Sequence, residues 1–230
     1  MKIVISSFDN VINLSDEYTQ VIEMSDKALF SKISESFYLL CNGEKLQESI
    51  LLFDKDDTKD FSKHAIFLTS PLLVDIDSKS IQAKLQDAIL HLIIHDPERS
   101  SEIKKAFFEF VSKLTLFSDE IDLPIDWPSD PDWSKILKCM NPKIDLDNSK
   151  NLFERLLLFL EIVSSLRLSS FLILCNFKCF FSDDQLIALY KASRYHAIPL
   201  LLIEPSHAEN WLDGEHKIWV DEDYVEVLFE

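Results

Sequence analysis

Three features of the 230-residue sequence predict an α/β fold. Phe171–Cys175 and Ile198–Ile203 are continuous apolar runs. Such runs suit central strands of a parallel sheet covered on both faces, since a half-solvated strand would alternate. Between them lies a helical segment opened by Ser182-Asp-Asp-Gln185, in which Ser182 and Gln185 can exchange bonds with each other's exposed backbone amides. Strand, helix and parallel strand form one right-handed βαβ unit. The middle of the chain, by contrast, repeats its apolar residues at helical spacing.

Taken in order, the chain opens with short β-like stretches at Lys2–Phe8, Val11–Leu14 and Tyr18–Met24, separated by polar turn residues. A helix follows at about Asp26–Cys41 and stops at Asn42-Gly43. Ile50–Asp54 and His64–Thr69 read as further strands. From Ser80, the residues Ile81, Leu85, Ala88, Ile89 and Leu92 mark a helix that Asp96-Pro97 ends. A second helix carries Ile103, Ala106, Phe107, Phe110, Val111, Leu114 and Phe117 on one stripe. So short a connection makes the two an antiparallel hairpin. DLPIDWPSDPDW then places Pro124, Pro128 and Pro131 within eight residues and is the best linker candidate. Leu152–Leu166 is apolar around most of its circumference, which predicts a buried helix. Two β stretches, Lys217–Val220 and Tyr224–Phe229, complete the chain.

Composition excludes several functions. The chain has two glycines, Gly43 and Gly214, where average usage of about 7% would give roughly sixteen. Phosphate-cradling loops need clustered glycines, so neither a Walker loop nor a Rossmann fingerprint is present. The formal net charge of −17 argues against a uniformly basic nucleic-acid binder. That charge is uneven. Residues 61–150 carry 11 basic and 15 acidic side chains, whereas residues 1–60 carry 6 and 12 and residues 151–230 carry 6 and 13. No apolar run is long enough to span a bilayer, because Glu154, Arg155, Glu161 and Arg167 interrupt the longest candidate. The N-terminus lacks the apolar region of a secretory signal, and four cysteines in a chain of this length do not make a disulfide framework. A cytoplasmic, membrane-free protein is expected.

Few motifs carry chemistry. His91 and His95 have the i, i+4 spacing of zinc ligands, but Leu92 stands where a zinc protease needs glutamate. No nucleophile elbow exists, and no nucleophile accompanies His196 or His207. Lys105 and Lys113 bracket Glu109 at i, i+4, which suits either a solvated salt-bridged face or a face aimed at phosphates. Asp119, Glu120, Asp122 and Asp126 surround the start of the proline-rich stretch. They form either a solvated acidic loop or a source of oxygen ligands for calcium, although not an EF-hand. Asp221–Asp223 carries the same ambiguity.

The order of elements and several local strings resemble the accessory protein of type II-A CRISPR adaptation, a ring-forming DNA-end-binding protein found beside the integrase. The specific match runs from Phe171 to Pro205: a strand ending in asparagine (FLILCN), an aromatic pair and Ser-Asp-Asp opening a helix (FFSDDQL), and a strand closing as LLLIEP. The N-terminal strands and the helical middle followed by Glu120-Ile-Asp122 fit more loosely, and DWPSDPDW, with Trp127 and Trp133, departs from the family pattern. The resemblance implies an α/β head, residues 1–60 and 140–230, similar to a P-loop NTPase fold without its phosphate loop. It also implies an inserted helical leg at residues 61–139. Four such chains would form a homotetrameric ring around double-stranded DNA, with calcium at acidic sites and no catalysis. Its function would lie in spacer acquisition, alongside the CRISPR integrase and the RNA-guided effector nuclease. The cluster Asp119, Glu120, Asp122 and Asp126 then becomes the expected calcium ligand set. Because cations concentrate in the middle segment, Lys104, Lys105 and Lys113 are the expected DNA contacts. An acidic α/β protein–protein adaptor that never touches DNA is the alternative. A degenerate metal-dependent nuclease is disfavoured, since no carboxylate cluster lies beside a basic residue in a recognisable motif.

Overall fold

The computed structural model describes residues 1–44, 50–118, 120–145 and 151–229. They fall into two compact units, one formed by residues 1–75 and 146–230 and the other by residues 76–145. These cuts lie later than the sequence-based boundaries at 60/61 and 139/140.

The first unit holds two sheets. In the larger, β3 (Thr19–Met24), β6 (Ala65–Leu68), β7 (Phe171–Cys175), β8 (Leu200–Glu204), β9 (Glu215–Val220) and β10 (Glu226–Phe229) take the order β10-β9-β3-β8-β7-β6. All neighbours run parallel except β10, which closes one edge antiparallel to β9. The two apolar runs behave as expected, with β7 and β8 buried at every position, and β3 is buried throughout as well. The smaller sheet is antiparallel, β2-β1-β4-β5, built from β1 (Lys2–Ile5), β2 (Ile12–Asn13), β4 (Ile50–Asp54) and β5 (Asp57–Lys59).

Helix α1 (Lys27–Cys41) packs against β3, β6 and β8. Its Leu29, Ile33 and Phe37 join Ile3, Ile5 and Leu52 of the small sheet and Ile22, Ile173 and Leu201 of the large one in a single buried cluster. Each such side chain contributes about 1.5–3 kcal/mol when fully buried. After the short α2 (Phe61–His64), α6 (Leu152–Ser165) and α7 (Asp183–His196) pack on each other. The helix-opening signal at Ser182 is realised, and a second capping box stands at the start of α6. Ser182 N donates to Gln185 Oε1 at 3.0 Å while Gln185 N donates to Ser182 Oγ at 3.4 Å, and Asn151 and Glu154 make the same exchange at the start of α6. With so few glycines, other residues must enter the left-handed region. Ala197, at φ 53°, ends α7 in this way.

In the second unit, α3 (Lys79–His95) and α4 (Pro97–Ser118) form the expected hairpin around Asp96. α5 (Trp133–Met140) packs on α3. The proline-rich stretch is therefore not a linker between units. It lies inside this one, because Trp133 meets Phe107 edge-on at 6.0 Å and Leu137 is buried. No residue of α4 is fully buried, and Phe110 and Phe117 are exposed. Among the described residues no helix is long and apolar enough to cross a membrane.

Candidate functional site

Lys104, Lys105 and Lys113 are all exposed on α4. Among the described residues none of the three makes an ion pair, so the Lys105–Glu109 and Glu109–Lys113 bridges that the spacing permits do not form. They do not share one face. At about 100° per residue, Lys105 and Lys113 lie within roughly 80° of each other, while Lys104 projects about 180° from Lys113. Lys104 instead lines a cavity with Ile93, Ile94, Ser100, Asp130 and Trp133.

The acidic residues follow immediately. Asp119 lies outside the described residues. Glu120 and Asp122 sit on a tight turn, where Ile121 N donates to Ser118 O at 2.9 Å and Leu123 N to Ile121 O at 2.7 Å. The turn borders an open concavity of ≈ 400 Å³ together with Thr115, Ser118 and Pro124. Glu120, Asp122 and Asp126 are exposed, and no group of three or more His, Cys, Asp or Glu side chains comes close enough to hold a metal among the described residues. Several copies of so acidic a loop would repel unless cations neutralised them.

A third location is informative for what occupies it. In a parallel α/β sheet a phosphate loop would join a central strand to the following helix, with the phosphate at the helix N-terminus. Here β3 reaches α1 through two residues, Ser25 and Asp26. Asp26 Oδ1 accepts from Leu29 N at 2.7 Å, so the chain's own carboxylate holds the position of an anion. This geometry extends what the glycine shortage predicts.

The first unit also buries an ionic network that sequence reading missed. Glu23 on β3, fully buried, receives Lys178 Nζ at 3.0 Å and Lys217 Nζ at 3.1 Å on Oε1, and His207 Nδ1 at 2.9 Å and Ala208 N at 3.0 Å on Oε2. Lys178 also reaches Glu215 at 2.9 Å, and Glu215 accepts from Tyr190 Oη at 2.7 Å. Burial pushes the Glu23 carboxyl up, but the Lys178 and Lys217 ammoniums and the Ala208 amide outweigh it and hold the group below the usual carboxylate range. For Lys178 burial works downward, and Glu215 and Glu23 together prevail to raise it. Glu204, on the neighbouring β8, is pushed up to about 7 by burial, against amide bonds from Phe177 and Lys178 at 2.9 and 3.1 Å. Burial and Glu215 raise the Tyr190 phenol. The signals in the sequence were charges inside largely apolar strands: Glu23 in TQVIEM, Glu215 and Lys217 in EHKIWV, and Glu204 in LLLIE. The network ties β3, β9 and α7 together.

All four cysteines are free thiols: Cys139 and Cys179 exposed, Cys175 buried, and Cys41 pushed up to about 12 by burial. Burial also raises the Cys175 and Cys179 thiols, the opposite of nucleophile activation. The family model described as CRISPR-associated protein (Cas_Csn2) matches residues 44–224.

Proposed function

The chain belongs to the family of CRISPR-associated proteins (Cas_Csn2), and from that premise we propose that it is a non-catalytic ring protein binding double-stranded DNA ends in spacer acquisition. In this reading four copies assemble with calcium at the Glu120–Asp122 turn, and the ring works beside the CRISPR integrase and the RNA-guided effector nuclease.

The observation that carries the DNA reading is the set of exposed α4 lysines without ion pairs in a chain of net charge −17. In so acidic a protein, lysines left without carboxylate partners are available for phosphate contacts and counterion release. Lys105 and Lys113, on neighbouring faces of α4, are the first candidates, and Lys104 is the weaker one. The chain has four arginines, Arg99, Arg155, Arg167 and Arg194, and Arg99 is already paired with Asp96. Arginine is the usual reader of guanine edges, so binding is expected to ignore base sequence. The non-catalytic part of this reading is supported by the Asp26-capped α1, whose N-terminus a carboxylate of the chain already occupies.

The test is a gel shift on linear and covalently closed duplexes of equal length, with calcium and with chelator. Linear duplex should bind in calcium with an affinity that falls steeply with salt, and closed circles should not, because a closed ring must be threaded from an end. Lys105→Glu with Lys113→Glu should weaken binding for all sequences alike. Equal binding of circles would overturn the threading model. No binding of any duplex would favour the protein–protein adaptor.

A further inference from the structure

The last two turns of α3 carry a pair of histidines that nothing above uses. The His91 and His95 ring centroids are 4.1 Å apart with planes tilted by 41°. Both side chains are exposed. Among the described residues neither ring has a hydrogen-bond or ion-pair partner. The other four histidines are engaged: His64 with Ser170, His207 with Glu23, His216 stacked on Tyr18, and His196 edge-on to Tyr195. Helical geometry therefore holds two exposed imidazoles side by side. The surroundings favour a cation. Asp87 lies one turn before His91 on the same stripe.

We propose that His91 and His95 form a two-imidazole chelate for a borderline divalent transition cation such as Zn²⁺ or Ni²⁺, with water completing the coordination. Neutral imidazole suits these ions, whereas calcium takes oxygen ligands and should ignore the pair. The rings are already one helical turn apart, so the second nitrogen binds without further ordering of the backbone. No third protein ligand joins them among the described residues, which leaves open positions, unlike a closed structural zinc site. The site is separate from the acidic turn at Glu120–Asp122 and does not depend on the DNA-binding reading.

The test uses the full chain, stripped by chelator and titrated calorimetrically with Zn²⁺ or Ni²⁺ in millimolar calcium. One ion per chain is expected, its affinity unmoved by the calcium. His91→Asn and His95→Asn should each weaken it at least tenfold, and the double variant should be little worse than either, since a chelate is lost with its first arm. His64→Asn should leave the affinity unchanged. Both histidines of the pair are exposed, so melting of the metal-free variants should match the parent. Undiminished binding in either single variant, displacement by calcium, or loss in the His64 variant would each overturn the assignment.

Discussion

Lys217 Nζ stands 3.1 Å from Glu23 Oε1, with the lysine side chain 2% exposed and the glutamate fully buried. The two come from adjacent parallel strands, β9 and β3. The lysine's remaining protons go to the carbonyls of Ala208 and Asn210, at 2.9 and 3.2 Å. A buried pair of this kind is weak evidence of stability gained, but breaking one is costly, because the surviving charge is stranded.

Removal of Glu23 should therefore be the most destabilising single change in the network. It would leave Lys217 without a carboxylate and the Ala208 amide without its acceptor, and leave Lys178 with Glu215 alone. Glu23→Ala is expected to cost about 3–5 kcal/mol. Lys217→Met should cost less, since Glu23 keeps Lys178 and His207. Urea unfolding of both variants checks the order, and equal or reversed losses would contradict it.

Glu204 predicts a pH dependence of definite sign. Its folded carboxyl lies at about 7, above an ordinary value of 4.5. The folded state thus holds the proton more tightly than the unfolded one. The resulting stability is complete below about 4.5 and is lost as pH rises through 7. A shift of this size corresponds to at most about 3 kcal/mol. Glu23, held low, acts oppositely, with its stability present above its unfolded value and lost on acidification. Glu204→Gln should flatten the decline between pH 5 and 7.5 and melt higher than the parent at pH 8. A variant with the parent's slope would refute this.

The Asp26 cap predicts indifference to nucleotides. Magnesium ATP should not raise the melting temperature, because a carboxylate already fills the α1 N-terminus. A rise of several degrees would contradict this. Asp26→Ala should cost about 1 kcal/mol through the lost cap.

Calcium should control assembly if the acidic turn gathers copies of the chain. Size-exclusion chromatography is expected to show a tetramer in calcium and smaller species in chelator. Glu120→Ala with Asp122→Ala should reproduce the chelator profile in calcium. An identical elution volume in all three conditions would rule the role out. Phe117, 73% exposed on α4, supplies a separate check. If copies meet there, Phe117→Asp should lower the association state without lowering the melting temperature of the single chain.

Local patterns in the sequence determined the α/β class, the helical hairpin and the helix starts, because periodicity, caps and proline stops act over a few residues. Phe171–Cys175, Ser182 with Gln185, and Asp96-Pro97 were all legible for that reason, as was the strand expected at Ile198–Ile203, which forms over Leu200–Glu204. The glycine shortage likewise settled the absence of a phosphate loop before any coordinates. Tertiary structure alone decided the rest. The antiparallel four-stranded sheet pairs Lys2 with Phe53 across fifty residues. The proline-rich stretch lies inside the helical unit, where Trp133 at its end meets Phe107 of α4. Lys104 and Lys113 have the same chemistry but project from opposite sides of one helix. Glu23, Lys178, Glu215 and Lys217 are scattered through the chain and meet only because β3, β9 and the segment after β7 converge. A charge inside an apolar strand signals a buried partner without naming it. The partner is set by strand register and chain crossings, which no local pattern encodes.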